Sequence, residues 1–504
     1  MTTDSGNLGD VFAAYRDSRA LAVVDLHDGA NPGEISFREL NAGCDAVARG
    51  LVRAGLGLGD RVAIVALNRV EFLEVMFGAM RAGCVPVMIN AKLPAEQVRF
   101  IVADAAARLV FCDPEFAPLC APEATKILFG ATGDYAGFVD PGPFETFRPG
   151  PTDIAEQPYT SGSTGRPKGV LLHHEGQRWM IDRLVQSRDM SADDCGIISA
   201  PLYHKNALLA VKSALAAGGR VVLLPRFDVK QYIRSIGRYR LTMLTGVPTM
   251  YALMLQQEAL LAETDRSSVR AISMGSAPAS EVLLDEVQAA FPRARINLNY
   301  GITEGGPVLL SWKHPKGVAR PRGTVGYPLP DVEIRFVGGP DENQGVLHTR
   351  NPGVMLGYHN LPRETARVLK DGWLDTGDIL RRDGDGWLYF IGRADDMFVT
   401  GGENIYPGDV ETMLERHPDV MQAVVVPAPN ALKAHVPHAF IVARAGSGLT
   451  EDDVKKHALA NAPAYAHPRR VFFVEALPLA GTNKIDRKRL MRQAADAARA
   501  DGTA

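Results

Sequence analysis

Twelve consecutive residues, Tyr159 to Val170 (YTSGSTGRPKGV), concentrate the means to hold a polyanion. Gly162, Gly165 and Gly169 let the backbone turn so that N–H groups converge on one oxygen-rich ligand. Thr160, Ser161, Ser163 and Thr164 add hydroxyl donors, and Lys168 adds a compact positive charge. A triphosphate needs that combination. The spacing departs from G-x-x-x-x-G-K-[ST], so the segment is not a Walker loop. Any three of these residues could form a solvated turn; all twelve in this order argue for a phosphate cradle.

Six more segments follow in order: PLYH (Pro201 to His204), GSAP (Gly275 to Pro278), NYGITE (Asn299 to Glu304), GWLDTGD (Gly372 to Asp378), GRADDMFVTGGENIYP (Gly392 to Pro407) and NKIDR (Asn483 to Arg487). Together with the phosphate loop they resemble the signature of the adenylate-forming superfamily, closest in pattern to bacterial acyl-CoA or aryl-CoA ligases. The superfamily also holds adenylation domains of peptide synthetases and firefly-type luciferases. The resemblance runs from about residue 10 to about residue 490. It implies an ATP-dependent carboxylic acid:CoA ligase that forms acyl-AMP, releases pyrophosphate and AMP, and uses ATP, Mg2+ and coenzyme A.

Each segment then has an expected task. Tyr300 offers an aromatic face to adenine, flanked by Asn299 and Gly301, and Gly275, Ser276 and Ala277 form the opposite wall. Thr303 offers a hydroxyl to a phosphate. Glu304 is a hard carboxylate suited to magnesium, which takes few protein ligands beside phosphate oxygens and water; a lone glutamate beside a threonine is otherwise usually surface. Asp378 can accept from both vicinal ribose hydroxyls. Arg393 resembles the arginine that also reaches the nucleotide, with a surface ion pair to a neighbouring aspartate as the competing reading. Lys484 is the expected catalytic cation. Charge builds on the phosphate oxygens as the carboxylate attacks, and a preorganised ammonium there is most valuable. Lys488, in the same basic segment, reads as a solvated charge.

The resemblance places the acyl pocket at His204, Lys205 and Asn206, at Gly246, Val247 and Pro248, and at Gly301 and Gly305. His204 packs near the carboxylate. Lys205 and Asn206 are polar where many relatives are apolar or glycine; if they face the pocket, the acid carries a hydroxyl, a carbonyl or a second carboxylate. Asp395 matches the hinge about which a C-terminal unit rotates between half-reactions. Gly401, Gly402 and Glu403 match the loop that lines the path of the CoA thiol. Three departures stand out: Gly345-Val346-Leu347 for a G-E-L, Lys433-Ala434-His435 for a Trp-Gly-Glu, and Tyr465-Ala466-His467-Pro468 for a Y-K-x-P. The last two weaken the CoA assignment more than adenylation. A freestanding enzyme loading a carrier protein, and a non-catalytic nucleotide-binding protein, are the competing readings.

The elements that must position these residues are α/β. Apolar residues at Leu40, Cys44, Val47, Ala48 and Leu51 give a helical period over 38–52, and short apolar runs at 61–67, 84–90 and 108–112 alternate with helical stretches at 71–81 and 94–104. Alternation of this kind implies parallel strands with helical crossovers. The pattern resumes with runs at 196–200, 220–224, 241–245 and 269–274. Strands and turns dominate from about 323 to 356, and a small α+β unit with a polar, alanine-rich tail follows Arg393. The expected architecture is a large N-terminal domain (1–394) of stacked αβ subdomains plus a β-rich subdomain, and a small mobile α+β C-terminal domain (395–504). At 504 residues the chain exceeds one ordinary core.

A net charge of −3 gives no general pull toward nucleic acid or anionic lipid. The five cysteines are scattered without a C-x-x-C pair, which argues against a zinc site or disulfide framework. With no basic leader and no run of ~20 apolar residues, the sequence reads as a cytoplasmic enzyme with small-molecule partners; association into a homo-oligomer stays open.

Overall fold

The computed structural model describes residues 5–29, 31–130, 133–161, 166–275, 279, 281–306, 309–444, 446–479 and 485–500. Gly162, Ser163, Thr164, Gly165, Ser276, Ala277 and Lys484 lie outside the described residues.

The alternating pattern forms two parallel sheets. The larger has seven strands among the described residues, in the order Arg295–Leu298, Ala271–Met274, Met243–Gly246, Cys195–Ile198, Arg220–Leu223, Leu21–Asp25 and Gly33–Ser36. All pair in parallel except the last, which returns antiparallel beside Leu21–Asp25. Gly246, Met274 and Leu298 lie in register, so three neighbouring strands end together. The chain leaves the sheet there in loops, and open parallel sheets bind ligands at that edge. The smaller sheet runs Val85–Met88, Arg61–Val65, Ala107–Cys112, Lys126–Leu128, again parallel.

Helices Phe37–Arg53 and Val70–Arg81 pack side by side within the first core. Ser36 and Glu39 close a capping box at the start of the first helix. A Cβ at Gly78 would stand 2.6 Å from the Cys44 carbonyl oxygen, so only glycine permits this approach. Arg81 is fully buried and satisfied by Asp45, Asn41 and Asp10.

The phosphate-loop segment sits on neither parallel sheet. Tyr159–Ser161 and Pro167–His173 form an antiparallel pair in which Thr160 opposes Lys168. Ile154–Glu156 and Gly357–Tyr358 also pair with Pro167–His173. The expected β-rich region is an antiparallel sheet built from Glu333–Asp341, Gln344–Arg350, Leu369–Lys370, Trp373–Arg382 and Leu388–Arg393.

Beyond Arg393 a mixed sheet holds Phe398–Thr400, Glu403–Ile405, Val420–Asn430, Ala434–Ala443 and Arg470–Phe473. Strand alternation gives it two cores. Ala423 and Val425 face helix Pro407–Glu415 and helix Glu451–Asn461, whereas Val424, Val426 and Ala428 face Leu490, Ala494 and Ala498. These last three residues recur every four positions on helix Arg487–Ala500. The alanine-rich tail is therefore a docked helix, its small side chains allowing close approach to the sheet. Among the described residues no helix is long and apolar enough to cross a membrane.

Candidate active site

The phosphate side is built on the antiparallel pair. Thr160 Oγ1 donates to Glu304 Oε1 at 3.1 Å, and the Tyr358 hydroxyl donates to the same oxygen at 3.0 Å. Lys168 Nζ lies 4.2 Å from the centre of the Tyr358 ring, a cation–π distance. Glu304 is carried by the one-turn 3-10 helix Thr303–Gly305, and its backbone oxygen accepts from Met355 N. Among the described residues Glu304 Oε2 takes no hydrogen bond. One lone carboxylate with a spare oxygen, and no cluster of three or more metal-ligating side chains among the described residues, suits a hard cation that draws its other ligands from phosphate and water.

A second group forms where strands Trp373–Arg382 and Leu388–Arg393 pair, with Asp378 opposite Arg393. Asp378 Oδ2 accepts from the Tyr300 hydroxyl at 2.8 Å, and Oδ1 accepts from Arg393 Nη1 at 2.9 Å. Burial raises the Asp378 carboxyl to about 6, although Arg393 and Tyr300 pull it down. Arg393 Nε also donates to the exposed Asp395, at 2.9 Å. Arg393 thus makes the neighbouring ion pair and the contact with the buried carboxylate at once.

The third group lies at the carboxyl edge of the large sheet. A Cβ at Gly275 would stand 3.6 Å from Asn299 Cβ and 3.9 Å from Asn206 Nδ2, so the glycine leaves a slot between two carboxamides. Asn299 is locked: Trp312 Nε1 and Arg188 Nη2 donate to its Oδ1, and its Nδ2 donates to Ser273. Asn206 has no hydrogen-bond partner among the described residues and borders the open space. His204 is the N-cap of helix Lys205–Ala216, its ring 4.6 Å from that of Tyr203.

All three groups open on one cavity of about 1330 Å³. Thr160, Lys168, His204, Asn206, Val247, Gly275, Asn299, Tyr300, Gly301, Thr303, Glu304, Asp378, Arg393 and Asp395 line it. Gly246 and Gly305 are buried and do not line it, and Pro248 lines a separate cavity of about 570 Å³ against the C-terminal unit.

Lys205 departs from expectation. It lines the cavity, but its ammonium is buried, paired with Glu156 and donating to Gln177 Oε1 at 2.8 Å. Burial opposite a carboxylate engages the ammonium that the sequence offered, on condition of facing the pocket, to a polar group on the acid.

The C-terminal unit contributes Asp409, Thr412, Met413, Arg416 and Lys488 to the same cavity. Lys488 is exposed, as a solvated charge would be, and also borders this cavity. Gly401 and Gly402 form the two-residue turn between Phe398–Thr400 and Glu403–Ile405, with φ of +59° and +94°. Such a turn needs residues that tolerate positive φ. These glycines and Glu403 are exposed and do not line the cavity in this arrangement. Tyr358 carried no signal in the sequence.

A family model described as AMP-binding enzyme matches residues 12–359, and one described as AMP-binding enzyme C-terminal domain matches 409–484. The chain belongs to the AMP-binding enzyme family. A feruloyl-CoA synthase of Amycolatopsis sp is 32% identical, over 90% of this chain and 92% of its own length. The anthranilate CoA ligase AuaEII, solved with anthranoyl-AMP, superposes with a TM-score of 0.88 at 25% identity, covering 98% of both chains. ATP-bound MatB from Rhodopseudomonas palustris gives 0.88 at 30% identity, covering 98% of this chain and 99% of its own. This AMP-binding enzyme thus shares its two-part architecture, a large N-terminal and a small C-terminal portion, with ligases caught holding nucleotide or acyl-adenylate.

Proposed function

We propose that the protein joins an aromatic carboxylic acid to coenzyme A in two steps. First, a carboxylate oxygen attacks the α-phosphorus of ATP; the new O–P bond forms as the bond to pyrophosphate breaks. Then the CoA thiol, losing its proton, attacks the acyl carbon and AMP departs. The observation that carries this reading is the convergence of a phosphate group (Thr160, Lys168, Glu304), a nucleoside group (Tyr300, Asp378, Arg393) and a polar slot (Asn206, Gly275, Asn299) on one cavity.

The residues divide the work by charge. Thr160 and Lys168, with Ser161, Gly162, Ser163, Thr164 and Gly165, hold the phosphates, and Thr303 adds a hydroxyl. Asp378 accepts from the ribose, fixed by Tyr300 and Arg393, and adenine lies between Tyr300 and the Gly275–Ser276–Ala277 wall. Glu304 would hold magnesium through its spare oxygen; bound there, the ion neutralises charge on the departing pyrophosphate. Lys484 brings the carboxylate and the α-phosphate together against their repulsion. Residues 395–504 turn about Asp395 between steps, exchanging Lys484 for the Gly401–Gly402–Glu403 turn at the thiol's path.

The names of the relatives support an aromatic acid, and so do the apolar walls of Tyr203, Leu209, Val247 and Met250 around the slot. A cytoplasmic location goes with this reading. Acid-dependent exchange of pyrophosphate into ATP, run over ferulate, 4-coumarate, anthranilate and straight-chain acids, tests it. Exchange with none of them sinks adenylation. Exchange without consumption of free CoA transfers the second step to a carrier protein.

A further inference from the structure

Helix Lys205–Ala216 begins with a buried lysine, an unfavourable choice twice over. A cation at a helix N-terminus opposes the helix dipole, and removing an ammonium from water costs several kcal/mol. Lys205 is nonetheless 7% exposed and Lys212, two turns along the same face, is 1% exposed. Both meet the fully buried Glu156, Lys205 on one carboxylate oxygen and Lys212 on the other at 2.6 Å. Burial alone would raise the Glu156 carboxyl, but the two ammonium groups hold it at about 2.

Gln177 completes the cluster. Its Oε1 accepts from Lys205, and its buried Nε2 finds no acceptor among the described residues. An orphaned amide of this kind costs about 1–3 kcal/mol, so the orientation of Gln177 is imposed by the lysine. An apolar trio of similar volume would stabilise the interior as well or better. Stability does not account for this arrangement.

Position does. Glu156 ends strand Ile154–Glu156, four residues before Thr160. The intervening segment is stiff: Gln157 N donates to Pro86 O, Pro158 O accepts from Val170 N, and the Tyr159 hydroxyl donates to Asp104 at 2.6 Å. At the other end, Lys205 sits between His204 and Asn206, the residues that border the acid slot. We propose that Lys205 is a positioning residue: its bridge to Glu156 and Gln177 ties the acid-side turn to the strand carrying Thr160. The bridge fixes the separation of the bound carboxylate from the ATP phosphates. Lys212 neutralises the second oxygen of Glu156 and sets no distance.

This inference rests on the adenylation reading above, and the test separates the two. Lys205→Met is expected to raise KM for the acid and KM for ATP by about tenfold each, the scale of a small misplacement of reacting groups. The active-site fraction, titrated by the burst of acyl-AMP, stays at the wild-type level. Lys212→Met keeps both KM values within about twofold of wild type. Gln177→Leu, which leaves all three charges in place and folds if Lys205→Met does not, raises the same two KM values about threefold. Wild-type KM values in Lys205→Met or in Gln177→Leu overturn the proposal, as do equal effects of Lys205→Met and Lys212→Met, the mark of simple packing. Should the wild type show pyrophosphate exchange with none of the acids named above, the adenylation reading fails. Calorimetric titration with ATP and magnesium then decides the tie alone: weaker binding in Lys205→Met supports it and an unchanged Kd overturns it.

Discussion

Thr160 and Glu304, 144 positions apart, are joined by a 3.1 Å hydrogen bond from hydroxyl to carboxylate. The bond fastens the phosphate-loop hairpin to the turn that leaves the large parallel sheet, and Tyr358 reinforces it from a third strand. Glu304→Gln retains an oxygen for both donors and removes only the charge. Pyrophosphate exchange is expected to fall about 10²–10³-fold, as when a group that stabilises transition-state charge is lost. The melting midpoint stays at the wild-type value. Exchange within threefold of wild type would show that the carboxylate's charge is not used.

Asp378 supplies a pH dependence with a definite sign. Its folded carboxyl lies at about 6 against an ordinary 3.8, because burial outweighs Arg393. Protonation below 6 removes a ribose acceptor and the partner of Arg393, so KM for ATP rises as pH falls through 6 and is level above 7. Between about 4 and 6 the folded chain holds a proton that the unfolded chain has lost, so this group favours folding toward acid. The Asp378 contribution to stability therefore has the opposite sign to its contribution to affinity. Asp378→Asn gives a KM for ATP about tenfold higher, equivalent to ~1.4 kcal/mol, with no such pH dependence.

Lys484→Ala separates the half-reactions. Formation of acyl-AMP from acid and ATP is expected to drop by about 10²-fold or more, whereas transfer to CoA from supplied acyl-AMP keeps at least half its rate. Equal losses in both steps would make Lys484 a structural residue.

Ala434 adopts φ of +65° at the turn into strand Ala434–Ala443. The resemblance puts the glycine of a Trp-Gly-Glu at this place, and alanine in this left-handed conformation costs about 1–2 kcal/mol. Ala434→Gly relieves that strain, less about 0.5–1 kcal/mol of added chain entropy. Denaturant unfolding is expected to gain roughly 0.5–1 kcal/mol in the C-terminal transition. A loss of stability would mean that the methyl group packs usefully.

The sequence reveals elements better than their neighbours. The helix expected at 38–52 runs Phe37–Arg53, and the strand expected at 108–112 runs Ala107–Cys112, since local period marks the face each element buries. Sheet order is a different matter. Leu21–Asp25 enters the large sheet beside Arg220–Leu223, almost two hundred residues away, and no local pattern encodes that pairing. In the site, glycines and paired hydroxyls advertise themselves because few other residues fit their backbone or chemistry. The inward turn of Lys205 does not, because a lysine's direction depends on a glutamate 49 positions earlier. The alanine-rich tail misleads for a related reason: two of the three residues on its buried face are alanines, a weak apolar signal among many charges.

Across the junction with the C-terminal unit, Arg444 meets Glu286 at 2.9 Å, both side chains more than a third exposed. Ion pairs so open to solvent contribute about 0–1 kcal/mol, little more than thermal agitation supplies. A contact that weak does not by itself fix the unit in its place. Added salt would loosen it further while screening the buried Glu156 cluster much less.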